Sequence, residues 1–291
     1  MKILFKTVLV LTICLASCQQ EKVISPDQPE ELASSDNLRE NFTDDLPKNY
    51  QLIKHGGSTL SYSGDGRLRK VTYSPNVRGN FSVYAVYTYS GNSIVSKLYY
   101  DNKLTEVVTY LLDAKGRCYD SQQVEYIPYG PNTTLEKQTG FNYLYNPKGQ
   151  LMTRTNKKVA NEYTSFGYDA AGDLTKITNY GFSAAGPGVG IASESTLYYD
   201  QPAGDVILPD YSPVNCESAN LPDPYLKIFG RPSNHLVKLI TEKFSLGGKV
   251  MTYTLNADGY VKAKQTYDLF NGKLVETKLY DYLVTDITLN L

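Results

Sequence analysis

Beyond Tyr50 the chain alternates apolar and polar residues with a period of two, and helical periodicity nearly vanishes. Phe81, Val83, Ala85, Tyr87 and Tyr89 occupy alternate positions, as do Phe141, Tyr143 and Tyr145. At the end of the chain Leu283, Thr285, Ile287, Leu289 and Leu291 alternate with Val284, Asp286, Thr288 and Asn290. Successive side chains of a strand point to opposite faces, so this spacing predicts half-buried strands. Tyr, Val, Ile and Thr fill most of these positions, and they suit a pleated surface packed on one side.

The turns carry a signature of their own. Seven times a small polar residue precedes a glycine by three positions: Ser63–Gly66, Asn76–Gly79, Asp113–Gly116, Asn146–Gly149, Asp169–Gly172, Ser245–Gly248 and Asn256–Gly259. This is the pattern of a type I turn whose closing glycine goes left-handed, forms a bulge and returns the chain as a hairpin. Asp268–Gly272 reads as a longer relative. A recurring line, Tyr-x-x-x-Gly-x-Leu, runs over Tyr62–Leu68, Tyr145–Leu151 and Tyr168–Leu174. The closing glycines keep no fixed period, which argues for serial hairpins and against a solenoid. The expected fold is all-β, an antiparallel meander of about 14 to 16 strands curled into a barrel or half-barrel that protects its edges.

One insertion interrupts the meander. Between Ile177 and Leu226 there is no Lys or Arg but there are six acids, Glu194, Asp200, Asp205, Asp210, Glu217 and Asp223, among crowded Gly and Pro. Pro224–Gly230 then reads as one short helical turn closed by Gly230, and His235–Ile240 as the resuming strand.

Before Tyr50 the pattern is different. Lys2 and Lys6 lead into an apolar run, Val8–Leu15, that is too short to span a membrane as a helix and fits a secretory signal peptide. Residues 19–48 hold eight acids against three bases and one aromatic, Phe42, so they read as a flexible acidic spacer. The chain divides into a signal peptide over 1–17, a tether over 18–48 and a single β domain over 49–291.

Composition narrows the chemistry. The 291 residues carry a formal charge of −1, so nothing suggests nucleic acid as a partner. With 26 Tyr, no Trp and two His, neither a His-based nor a metal-centred site is favoured. No phosphate loop, dinucleotide fingerprint or Cys/His metal spacing occurs, and the expectation is no cofactor, no metal and no catalytic residue. Cys118 and Cys216 are read as two separate thiols. Tyrosine pairs a flat apolar ring with a hydroxyl and suits polar ligands. Tyr87, Tyr89, Tyr99, Tyr198 and Tyr199 are the candidate binding residues for a glycan or protein partner. The alternative is a hydrolase using two carboxylates of the acidic stretch, such as Asp200, Asp205 or Asp210.

Three resemblances add to this reading. Leu15-Ala16-Ser17-Cys18, closing the apolar run, resembles the lipobox of bacterial lipoproteins. It implies cleavage before Cys18, acylation of that cysteine with palmitate-like chains and stable anchoring. With Gln19 instead of Asp after the cysteine, it implies the outer membrane, on either face. The Tyr and Asp before each glycine turn resemble the YD repeats of large bacterial shell proteins. Together with Gly230-x-x-Ser233-x-x-Leu236-Val237, these features resemble lipoproteins of Bacteroides-type bacteria grouped as domain-of-unknown-function family 4595. That resemblance implies a porin-like barrel standing in water and carries no activity. The anchor with its spacer, the tyrosine-rich β body and the lack of a catalytic constellation point to a non-catalytic binding or scaffold role, for a glycan or partner protein. Strands such as Leu151–Lys158 and Val261–Tyr267, polar on both faces, do not suit a lipid-embedded barrel.

Replacing Cys18 with Ser is expected to release the protein from membranes and abolish labelling by radioactive palmitate. Persistent labelling would refute the anchor.

Overall fold

The computed structural model describes residues 48–74, 81–129, 133–182, 189–201, 204–244 and 247–286. Cys18, the signal peptide, the tether, the Asn76–Gly79 turn and the last five residues lie outside the described residues. Sixteen strands follow one another in a meander. The first six are β1 (Lys48–His55), β2 (Ser58–Tyr62), β3 (Leu68–Tyr73), β4 (Val83–Ser90), β5 (Ser93–Tyr100) and β6 (Lys103–Leu112). The next six are β7 (Cys118–Pro128), β8 (Thr134–Tyr145), β9 (Leu151–Asn156), β10 (Tyr163–Tyr168), β11 (Leu174–Phe182) and β12 (Val189–Tyr198). After the insertion come β13 (Leu239–Glu242), β14 (Gly248–Leu255), β15 (Val261–Asp268) and β16 (Leu274–Asp286). Each strand pairs antiparallel with its neighbour, and β1 pairs with β16 from Lys48↔Asp286 to His55↔Tyr280, so the sheet closes. Closure removes both sheet edges, as the edge argument requires.

The hairpin device recurs at one rim. Gly66, Gly116, Gly149, Gly172 and Gly259 all have φ between 75° and 90°. In each turn the first residue's N–H bonds the carbonyl four residues on, as from Asn146 to Gln150 at 2.9 Å, while the glycine N–H bonds back to the first residue. The Asp113, Asn146, Asp169 and Asn256 side chains accept further backbone N–H groups within their own turns. A register shift sits beside every one of these turns, as the bulge requires. Gly248 departs from the expectation. It begins β14, opposite Thr241, without a positive φ.

The tyrosine of the recurring line also has a physical role. A carbonyl beside a bulge loses its regular ladder partner. Tyrosine hydroxyls from the following hairpins supply a replacement: Tyr89 donates to the Leu68 carbonyl at 2.8 Å, Tyr145 to Cys118 at 2.7 Å, Tyr168 to Leu151 at 3.0 Å and Tyr199 to Leu174 at 2.8 Å. Tyr145 and Tyr168 of the line thus stitch their hairpins to the preceding ones, and Tyr89 and Tyr199 do the same from outside it.

The inner wall is apolar toward this rim, with Leu52, Val71, Tyr110, Leu174, Ile177, Leu197 and Val261 almost fully buried. The outer wall is mixed. Strand alternation places Lys70, Lys97, Gln122, Asn142 and Asp281 outside, and Glu194 lies between Lys176 and Lys243 at 2.8 and 3.3 Å. Each Lys facing hydrocarbon would cost about 2–4 kcal/mol at mid-depth, so this wall suits water.

The insertion corrects two expectations. Pro224–Gly230 forms bends and turns instead of a helical turn, and a single 3-10 turn lies earlier, at Glu217–Ala219. His235 makes only an isolated bridge with Pro209, and the strand begins at Leu239. Both shifts arise because the segment's backbone groups pair with distant partners: Asp210 N–H with the Asn234 carbonyl, Leu236 N–H with the Leu208 carbonyl, and the Ile228 carbonyl with Cys118 N–H of the wall. Gly230 does take φ +75°, and a Cβ there would lie 2.5 Å from the Gly149 carbonyl oxygen. Gly230→Ala is therefore expected to cost well over 2 kcal/mol, combining left-handed strain with a backbone clash. Gly91→Ala, with φ +55° and open space, is expected to cost about 1 kcal/mol. Equal denaturation midpoints for the two variants would contradict this packing.

Candidate functional site at the plugged rim

Small eight-stranded barrels are filled by their own side chains, whereas about 16 to 18 strands enclose an open lumen. Here the lumen is filled by the insertion. Val214, Ala219, Leu226, Ile228, Phe229 and Leu236 join the same buried core as the wall residues. The insertion leaves after β12 and returns to β13, whose facing ends lie at the rim of the bulged turns. It acts as a plug entering from that rim.

Polar contacts hold the plug from all sides. The buried Asp223 carboxylate accepts the Tyr87 hydroxyl at 2.7 Å and the N–H groups of Tyr225 and Leu226 at 2.7 and 2.9 Å. Burial pushes its pKa up, and these three bonds oppose the shift. Glu217 meets Lys278 at 2.6 Å and Lys264 at 3.0 Å. Burial would raise Glu217, but the two ammonium groups prevail and hold it at about 2. Asp173, at the turn before β11, accepts the backbone N–H groups of Asn234 and His235 and meets His235 Nδ1 at 2.6 Å. Cys118 N–H donates to the Ile228 carbonyl at 2.7 Å. Arg154 of β9 reaches the Asn220 carbonyl.

The candidate tyrosines do not share a surface. Tyr87 and Tyr199 point inward, and the Tyr199 hydroxyl lies between the Leu174 carbonyl and Ser233 Oγ at 2.8 and 2.6 Å. Tyr89 also faces inward, with the Arg67 guanidinium 5.0 Å over its ring, and lines a cavity beside the plug. Tyr99 stacks on Tyr84 with centroids 5.0 Å apart, and Tyr198 follows the buried Leu197 onto the opposite face. Cys118 and Cys216 are both free thiols.

The interruption expected from Ile177 begins only after β12, so Glu194 belongs to the wall and the other five acids to the insertion, and the six are dispersed. Glu194 is paired outside, Asp205 is paired with Lys238, and Glu217 and Asp223 are bound as described. Asp200 is exposed and Asp210 lies at the rim. The wall instead brings together two acids that sequence reading missed. Glu106 and Glu125 face each other across β6 and β7, and Gln123 Nε2 donates to both at 2.7 and 3.3 Å. Lys137 also contacts Glu125. Cross-strand position is the only signal that could have paired them, and it needs the register.

Two cavities of about 440 Å³ open where the plug meets the rim, flanking Lys227. One lies between Asp210, Tyr211, Arg231 and Tyr260, and the other runs past Tyr50, Tyr62 and Tyr89. Their tyrosines form a continuous cluster. Tyr50 stacks on Tyr260 at 3.8 Å, and Tyr211 lies 5.6 Å from Tyr260. A third cavity, of about 280 Å³, lies deeper between the plug and β12 to β16 and is lined by Cys216, Glu217, His235 and Lys264.

No family model matches the sequence, and no curated protein matches it. The fold has solved counterparts. A porin-like protein from Bacteroides uniformis superposes with a TM-score of 0.51 at 17% identity, covering 82% of this chain and 95% of that one. A porin-like protein from Bacteroides vulgatus gives 0.54 at 16% identity, covering 81% and 99%. At such identity the likeness is one of fold.

His55, on β1 behind the plug, offers a test of the seat. It is buried against Tyr280, and its Nδ1 lies 3.2 Å from the Tyr225 hydroxyl. Burial, reinforced by the Lys278 charge, lowers its pKa from 6.5 to about 4. The unfolded chain therefore takes up a proton between those values that the fold rejects, so stability falls as pH drops through this window. The full loss is about 3 kcal/mol, complete below pH 4. His55→Phe is expected to flatten this part of the acid limb in denaturant titrations at pH 7 and 4.5. An unchanged pH decrement in the variant would show that His55 is not the group responsible.

Proposed function

We propose that this chain is a lipid-anchored binding protein of the outer membrane, with a non-catalytic role toward a glycan or protein partner. The observation that carries the reading is the plug. A barrel filled by its own chain and walled by charged residues suits neither conduction nor residence in lipid, which leaves its accessible surfaces as the working parts. The rim cavities with their tyrosine cluster are the most developed of these. The lipobox-like Cys18 and the acidic tether support anchoring, and both ends of the barrel, Lys48 and Asp286, meet at the plugged rim. The porin-like neighbours fit a protein of this class.

A hydrolase reading finds its carboxylate pair at Glu106 and Glu125 instead of in the acidic stretch. Burial raises Glu106, as an acid catalyst would need, but Gln123 and Lys137 already engage the pair.

Residues 19–291, screened on a glycan array and in pull-downs, are expected to give saturable binding without product. Turnover of a polysaccharide, abolished by Glu106→Gln, would replace the binding reading with the hydrolase.

A further inference from the structure

The rim contains two cations in an unusual condition. Arg67 and Arg117, on the bulged turns of the same rim, are each locked to the aspartate of their own turn, Asp65 and Asp113. Lys227 and Arg231, on the plug, are held differently. Arg231 Nε donates to the Ser233 carbonyl at 3.0 Å and Nη2 to the Asp210 carbonyl at 2.7 Å. Lys227 Nζ donates to the Ser212 carbonyl at 3.0 Å. Among the described residues neither forms an ion pair. Main-chain carbonyls thus orient both groups without neutralising them, and each keeps unused N–H donors, since a guanidinium has five and an ammonium three. Both residues keep exposed surface, while the Lys227 ammonium itself is largely enclosed.

The charge around them is correspondingly unbalanced. Enclosure by the rim pushes the Lys227 ammonium down to about 8, with Asp210 opposing and Arg231 adding to the shift. The nearby Asp210 carboxyl is pushed up by burial, though the Ser212 N–H and the two cations pull it back. Two cations and one carboxylate leave the pocket one positive charge in excess.

We propose that the cavity between Lys227, Arg231, Tyr211 and Tyr260 binds a saccharide bearing a carboxylate. This rests on the binding reading and gives it a ligand class. A carboxylate is planar, matches the fork of a guanidinium and carries the single negative charge that the pocket lacks. A phosphate dianion would call for more charge and more donors than these. Tyr211 and Tyr260 line this cavity and offer apolar ring surface for the C–H side of a sugar, with Tyr260 held from behind by its stack on Tyr50, and Asp210 and Ser212 beside them for hydroxyl groups. A cavity of about 440 Å³ is within the usual range for small-ligand sites.

The test titrates residues 19–291 with trigalacturonate, with the neutral galactose trimer and with inorganic phosphate, by calorimetry at low salt. Saturable binding of the uronate is expected, at least about tenfold tighter than the neutral trimer, and about tenfold weaker in both Arg231→Gln and Lys227→Gln. Lys97→Gln, on the outer wall, should bind like the unaltered chain, and matched melting temperatures exclude misfolding. Equal affinity for the neutral trimer would sink the carboxylate site while leaving a sugar-binding protein. Phosphate binding as tightly as the uronate would overturn the assignment in favour of a general anion site. No binding of any of the three would also overturn it, and the glycan array then decides the broader reading independently.

Discussion

A closed sheet of sixteen strands encloses more volume than its inward side chains can fill, and the rest of this structure follows from that. Water in the space would leave the inner Leu, Val, Ile and Tyr residues hydrated and forfeit most of the apolar burial that holds a domain together. The chain solves the problem with its own segment. Because a plug must enter and leave, it carries backbone polar groups into the interior, and each needs a partner. The barrel supplies them from strands far apart in sequence: Asp223 and Tyr87 are separated by 136 positions, and Ile228 and Tyr145 by 83. The tyrosine-rich composition makes sense on these terms. A phenol adds apolar bulk to the core and ends in a hydroxyl that can reach a stranded carbonyl or carboxylate.

The wall was legible in the sequence because its rules are local. Alternation along Phe81–Tyr89 and the Asp/Asn-x-x-Gly turns depend on neighbours within a few residues, and they led to the right class, topology and approximate strand number. The plug was not legible. Gly, Pro and five acids without a base before Lys227 look like a solvated loop when read along the chain, because the groups that compensate them lie elsewhere. Lys264 and Lys278 face Glu217 from β15 and β16, and Tyr87 meets Asp223 from β4. The helical reading of Pro224–Gly230 failed for the same reason. Local propensity is overridden because the carbonyls of that turn are taken from outside it, Leu226 by Asn215 Nδ2 and Ile228 by Cys118 N–H and the Tyr145 hydroxyl.

The candidate site divides in the same way. Of the tyrosines that the sequence singles out, Tyr87, Tyr89 and Tyr199 spend their hydroxyls on structure. Those at the rim, Tyr50, Tyr211 and Tyr260, had no distinguishing neighbours in sequence. A signal for the cations did exist: Lys227 and Arg231 are the first two bases after the long base-free stretch. What sets them apart from Arg67 and Arg117 is not local: neither is ion-paired among the described residues, although Asp210 lies nearby.

The pairing of β1 with β16 bears on how the protein is made. The chain is synthesised from its N-terminus, so the plug is made while β13 to β16 are still to come. Until those four strands are made, the outer edges of β1 and β12 have no partner. The clasp that seals the barrel is thus the last of the sixteen strands to be made. A nascent chain that stalls before β16 presents a free β1 edge to any neighbouring chain, and two such chains can exchange the strand that each is missing.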